Sequence, residues 1–407
     1  MGRRYLPRQF RRLDLSAQAR DQIRSLATSR IRELANAAMG REGVLPFWFG
    51  ESDQPTPRFI AEAAIEGIEQ GRTFYAHNMG IRPLREAIAG YLQDLHDKPF
   101  EADRIAVTSA GVSALMVAMQ AILDPGDRVL AVTPVWPNLF EIPRILNAEV
   151  VEVPLEPKNG RWSLDLDRLF QALTPDTRLL LINSPNNPTG WTLDEASRDA
   201  ILERCRRLGI WVMADDVYER LPFAANRLSA PSFLAAAEPE DRVFGVNSFS
   251  KAWRMTGWRL GWMSMPKGLE EDVGKLMEFN TSCAPHFIQQ AAVVAIAEGE
   301  PEVARLRGEL RDARDRLCGA LSALPGVETV LPDGGMYAFF RVEGARDSVA
   351  ICRRLIEEAG LGLAPGAAFG AGGEGWIRWC FAARPDKLED GIGRLTRWAE
   401  TNARQSA

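Results

Sequence analysis

The chain has 407 residues, 46% of them hydrophobic and 25% charged, with a formal net charge of -5. Single cores stop growing at about 250–300 residues, so a large domain with a smaller companion is expected. The mildly acidic balance argues against a nucleic-acid or membrane-surface protein, and no stretch approaches the roughly 18 apolar residues of a membrane span.

One local exception opens the chain: Arg3, Arg4, Arg8, Arg11 and Arg12. Two readings stand, a solvated arm or an arm gripping a partner subunit. A secretory signal is not expected, because no apolar run follows the charges. The five cysteines are odd in number and scattered, which fits neither a disulfide framework nor a CxxC metal site. A reducing cytoplasm suits them best. The three histidines, His77, His96 and His286, lie far apart, so no metal centre is expected.

Helical spacing of Leu, Ile and Ala predicts a helix over 14–39. An aromatic, Gly- and Pro-rich segment over 45–57 reads as extended with turns. Helices are expected at 58–70 and 81–96. From 104 to 265 short apolar runs alternate with helical stretches. The runs lie at 105–108, 128–132, 179–182, 210–214 and 242–246, with an apolar helix at 112–122. Continuous apolar strands alternating with helices argue for a mainly parallel sheet covered on both faces. A further strand at 259–265 is expected, with an antiparallel orientation open to it. A long helix over 286–323, strands at 327–331, 336–342 and 376–381, a helix at 346–359 and a closing helix make an α+β unit. The expected division is 1–57 as an N-terminal arm and part of a small domain, 58–290 as the large α/β domain, and 291–407 as the rest of the small domain.

In open parallel sheets, ligands bind beyond the carboxyl ends of the strands. The residues that follow the predicted strands are Thr108-Ser109-Ala110-Gly111, Pro134-Val135-Trp136, Asn183 to Gly190, Asp215-Asp216-Val217-Tyr218, and Asn247-Ser248-Phe249-Ser250-Lys251. Polar, aromatic and ionisable groups thus gather at one edge, which a packed core alone does not need. Each has a job if the ligand is an electron-poor, phosphorylated, aromatic aldehyde. Ala110 and Gly111 leave free N–H groups at a helix N-terminus, which attract phosphate. Ser248 and the Arg259 fork can complete that anion site. Trp136 can stack on a ring. Asp215 can hold a ring nitrogen protonated, Tyr218 and Asn187 can donate to a ring oxygen, and Lys251 can form a Schiff base. Singly, each residue has an ordinary structural reading as solvated charge, core aromatic, helix cap or turn.

The motif set resembles the class I/II aminotransferases, fold-type-I pyridoxal-phosphate enzymes. Ser248-Phe249-Ser250-Lys251 through Met255-Thr256-Gly257-Trp258-Arg259-Leu260-Gly261 resembles the lysine signature of that family. Asn187-Pro188-Thr189-Gly190, Asp215-Asp216-Val217-Tyr218 and Gly50-Glu51-Ser52-Asp53 resemble other family motifs. So do Tyr75 with Gly80 and Leu84-Arg85, and Trp376-Ile377-Arg378-Trp379. The resemblance runs from about 45 to 385. It implies a seven-stranded-type sheet between helices in the large domain, with a smaller α+β domain. It also implies amino-group transfer between an amino acid and a 2-oxo acid.

By that resemblance Lys251 is the Schiff-base lysine and proton shuttle, and Asp215 pairs with the pyridine nitrogen. Asn187 and Tyr218 bind the ring oxygen, and Trp136 stacks on the ring. Ala110, Gly111, Val112, Ser248, Arg259 and a partner's Tyr75 hold the phosphate in a homodimer. Gly50 and Arg378, beside Asn187 and Trp136, hold the substrate. Two departures are Val112, where relatives often carry a polar side chain, and Ser52, where Pro is common. Two rivals remain: a carbon–sulfur β-lyase with the same cofactor, and a DNA-binding regulator carrying such a domain. Phe47, Trp48 and Phe49 can form an apolar rim or simply pack, and His77 and Met79 can line the site or lie in solvent.

Overall fold

A computed structural model describes residues 17–406, the side chains of 402–406 excepted. The five early arginines lie outside it. An eight-stranded sheet forms the larger layer. Its spatial order is Ile105–Thr108, Gly261–Ser264, Val243–Ser248, Trp211–Asp215, Thr177–Asn183, Arg128–Thr133, Glu149–Lys158 and Arg161–Leu164. Gly261–Ser264 runs antiparallel to both neighbours, and Arg161–Leu164 is antiparallel to Glu149–Lys158. The other pairings are parallel. The expected seven-stranded sheet is therefore present with one hairpin strand appended.

Both faces of this sheet are buried, and the period of two decides which residue faces which side. Leu130, Val132, Leu180, Ile182 and Val212 join one core cluster. Val129, Ala131, Leu179, Leu181 and Met213 join another. The second lies under the apolar helix Gly111–Ile122, which packs against Glu270–Asn280.

The smaller layer is a four-stranded antiparallel sheet ordered Val327–Val330, Tyr337–Val342, Trp376–Cys380 and Ala364–Pro365. Leu45–Pro46 pairs in parallel with Leu361–Gly362, which joins the N-terminal segment to the C-terminal third.

Two expected helices are interrupted. In the stretch 14–39, Asp21–Arg24 is a single turn and Arg30–Ala38 starts anew, because Ser29 caps it by accepting from the Arg32 N–H. The stretch 286–323 divides into His286–Glu298 and Glu300–Ala323 at Gly299. A Cβ there would overlap the Ala295 carbonyl oxygen, and Pro301 fits only a first helical turn. No helix among the described residues is long and apolar enough to cross a membrane.

Candidate active site

The carboxyl ends of the parallel strands open into a cavity of about 620 Å³. Gly50, Gly111, Val112, Trp136, Asn187, Asp215, Tyr218, Ser248, Lys251, Arg259 and Arg378 all line it. Two expected residues do not. Ala110 is buried behind it at the start of the helix Gly111–Ile122. Tyr75 is 91% exposed on the surface, away from the cavity lining.

Two strand ends and the loop after one of them are tied together by Asn183. Its amide donates to the Asp215 carbonyl at 2.9 Å, and its oxygen accepts from the Asn187 N–H at 2.7 Å. Asp215 is buried, and its carboxylate accepts only the Val217 N–H at 3.3 Å among the described residues. Desolvation pushes its carboxyl up to about 7.

The lysine loop is held just as firmly. Asn247 accepts from the Ser248 N–H and donates to Glu219 at 2.6 Å. Ser248 Oγ donates to Ser250 Oγ at 2.9 Å, and the Phe249 N–H donates to the Leu260 carbonyl at 3.1 Å. Lys251 Nζ thereby reaches the cavity, donating to the Gly50 carbonyl and lying 5.7 Å from the Tyr218 ring centre. Desolvation lowers its ammonium to about 8, with the Arg378 charge adding to the effect.

An anion cradle lies on one side. The helix Gly111–Ile122 has no side-chain cap, and Ala110 before it takes a φ of 101°. A Cβ on Gly261 would sit 2.5 Å from the Gly111 nitrogen and 2.7 Å from the Asn247 carbonyl oxygen. That glycine lets the helix N-terminus approach the lysine loop. Arg259 turns back on the same side, donating to the Thr256 carbonyl at 2.6 Å.

Arg378 lies opposite. It is 2% exposed, donates to Asn187 Oδ1 at 2.8 Å and to the Trp48 carbonyl, and lies over the rings of Tyr337 and Phe369 at 4.5 and 4.8 Å. Its Nε has no partner, and no described carboxylate pairs with it. A buried guanidinium left without an acid is suited to a bound anion.

The residues thus fit a pyridoxal-phosphate group. They supply an amine, an acid across the cavity from it, a stacking ring in Trp136, an uncapped helix N-terminus and a spare buried cation. Tyr337, Arg32 and Leu115 escaped the sequence reading, and Asn183 and Glu51 stood inside its motifs without a role. No motif marks Tyr337 or Arg32. Of the aromatic trio, Phe47 and Trp48 are core and only Phe49 lines the cavity. Met79 is also core, and His77 lies by a separate groove.

The family described as aminotransferase class I and II matches residues 43–395. A relative named as a probable aspartate/prephenate aminotransferase of Aquifex aeolicus is 33% identical over 363 residues, covering 88% of this chain and 91% of its own. An arginine–pyruvate transaminase of Pseudomonas aeruginosa is 32% identical, covering 89% and 92%. The solved aspartate aminotransferase of Thermotoga maritima superposes with a TM-score of 0.86 at 30% identity, covering 93% and 99%.

Proposed function

This chain belongs to the class I and II aminotransferase family, and we propose that it carries pyridoxal 5′-phosphate on Lys251 and uses that lysine as its proton carrier. The observation that supports this most is that one cavity gathers Lys251, the buried Asp215 and the unpartnered Arg378. The enzyme transfers an amino group from an amino acid to a 2-oxo acid.

When bound, the cofactor supplies an electron sink joined to the substrate's Cα. Everything else falls to the chain. Gly111, Val112, Ser248 and Arg259 would hold the phosphate, and Trp136 would cover one face of the ring. Asp215, once a cationic ring nitrogen lies against it, would stay ionised and keep that nitrogen protonated. Asn187 and Tyr218 would meet the ring oxygen.

Arg378 would grip the substrate α-carboxylate, with Asn187 and the Trp48 carbonyl fixing the fork. That grip sets which bond at Cα faces Lys251. Lys251 Nζ, with its proton affinity lowered toward neutrality, would take the Cα proton and return it to the carbon on the far side of the substrate nitrogen. The buried rings of Tyr218 and Tyr337 line the cavity and would keep water from competing.

The same reading divides the labour between 58–290, which holds the cofactor, and 1–57 with 291–407, which closes the substrate side. It extends to a homodimer, supported by the exposed Phe74 and Tyr75. A cytoplasmic setting is supported by five cysteines without a disulfide. The test is a panel of amino donors with 2-oxoglutarate and pyruvate as acceptors, run on the native protein and on Lys251→Ala. Paired appearance of oxo acid and new amino acid, absent from the variant, is expected. Transfer at native rates in the variant refutes the assignment.

A further inference from the structure

We propose that Glu219 is a positioning residue for the transfer reaction, which with His96 locks the turn carrying Asp215 and Tyr218 to the strand that leads to Lys251. This rests on the cofactor reading above and adds to it a residue outside the cavity lining.

The ladder between Trp211–Asp215 and Val243–Ser248 ends at the pair Asp215 and Val246. One more backbone bond follows, from the Asp216 N–H to the Val246 carbonyl at 2.9 Å. Beyond it the two segments part, one toward Tyr218 and the other toward Lys251. The Glu219 side chain takes over there. Its Oε1 accepts from the Asn247 amide at 2.6 Å, and Asn247 Oδ1 accepts in turn from the Ser248 N–H at 2.7 Å. Glu219 directly follows Tyr218, and Asn247 directly precedes Ser248. One side chain thus ties together the two loops that face the cofactor.

Glu219 does this as a neutral acid. It is buried, and no guanidinium or ammonium among the described residues bonds it. The adjacent Arg220 is committed to Glu300 at 2.6 Å and to Tyr91 Oη at 3.1 Å, and Arg198 to Asp199 at 2.8 Å. Asp216 accepts from Ser232 Oγ at 2.7 Å. Burial, and then the nearby Asp216, hold the Glu219 carboxyl well above its ordinary range, against the pull of Arg220. Buried His96 Nε2, at the end of the helix Arg82–His96, faces Glu219 Oε2 at 3.7 Å. Neither atom has a hydrogen-bond partner among the described residues. Burial, then Arg198 and Arg220, lower His96 to about 4, so near neutral pH it is an uncharged acceptor. A proton on Glu219 Oε2 aimed at His96 Nε2 serves both atoms. An ionised Glu219 beside Asp216 would be a buried charge without a cation.

The test compares the native holoenzyme with Glu219→Gln and Glu219→Ala. Glutamine keeps an oxygen for Asn247 and an N–H for His96. Its kcat, and the pH midpoint of its visible cofactor band, are expected to match the native ones. Alanine is expected to lower kcat roughly tenfold or more and to move the band midpoint by about half a pH unit or more. Its KM is expected to change little, since Arg378 is untouched. Should alanine prevent folding, Glu219→Asp, too short to span Asn247 and His96, carries the same expectation. Native kcat and band midpoint in these variants, a loss confined to KM, or glutamine as impaired as alanine overturns the proposal. Cofactor-free protein gives a second readout. The native fold keeps a proton that the unfolded chain releases above the ordinary Glu range, so its stability falls as pH rises, and Glu219→Gln lacks that loss. Urea unfolding at about pH 5 and about pH 8 is expected to show the variant gaining on the native protein as pH rises. An equal or shrinking difference overturns the proposal. This comparison needs no cofactor, so failure to form a coloured complex with pyridoxal phosphate would sink the cofactor reading and leave it standing.

Discussion

The hydroxyls of Tyr218 and Tyr337 lie 2.6 Å apart, one beyond a strand of the large sheet and the other on the small antiparallel sheet. Both rings are buried, and desolvation pushes both phenols above their usual range, so each remains a neutral hydroxyl. This bond links the two sheets across the cavity. Gly50 makes it possible, because any Cβ there would overlap Tyr337 Oη.

Gly50→Ala should therefore displace Tyr337 and destabilise the fold by about 1–3 kcal/mol, as overpacking does. Denaturant unfolding should show a lower midpoint with an unchanged slope. An unaltered midpoint would mean that Tyr337 yields without consequence.

Arg378→Lys should weaken substrate binding strongly while leaving cofactor binding intact. A lysine cannot reach Asn187, the Trp48 carbonyl and a carboxylate in one plane. The expected rise in KM is roughly 10- to 100-fold, from losing about 1.5–3 kcal/mol of charged hydrogen bonding. Native KM values in this variant would remove Arg378 from substrate recognition.

Asp215 gives the cofactor-free protein a signature in pH. Its folded value is raised to about 7, above the roughly 3.9 of an unfolded chain. Over that interval the folded state holds more protons, so stability falls as pH rises and then levels off. Asp215→Asn removes this loss. The cofactor-free variant should gain on the cofactor-free native protein by about 1–4 kcal/mol at pH 8 and hardly at all at pH 4. Urea unfolding at both values measures it, and an equal difference at the two would contradict the burial argument.

Much of the site was legible because its residues follow strands, where short motifs record which group leaves the sheet. Lys251, Asp215 and Asn187 are of that kind. Tyr337 and Arg32 were not legible. Tyr337 stands in an apolar run that reads as ordinary strand, and only the register against Cys380 brings it to the cavity. Arg32 is one of many arginines, and its meaning depends on where Ser29 starts a helix. The strand Glu149–Lys158 was missed because Glu149, Glu152, Glu156 and two prolines break its apolar pattern, as the exposed side of a strand near a sheet edge does. The helix break at Gly299 was readable from Pro301, but the apolar spacing on either side hid it.

Lys251 decides the account. Protein incubated with pyridoxal phosphate and reduced with borohydride should yield a single peptide, the one containing Lys251, heavier by the reduced cofactor. Lys251→Ala should give none. Label on another lysine, or no added mass on the Lys251 peptide of a coloured preparation, would contradict the central claim.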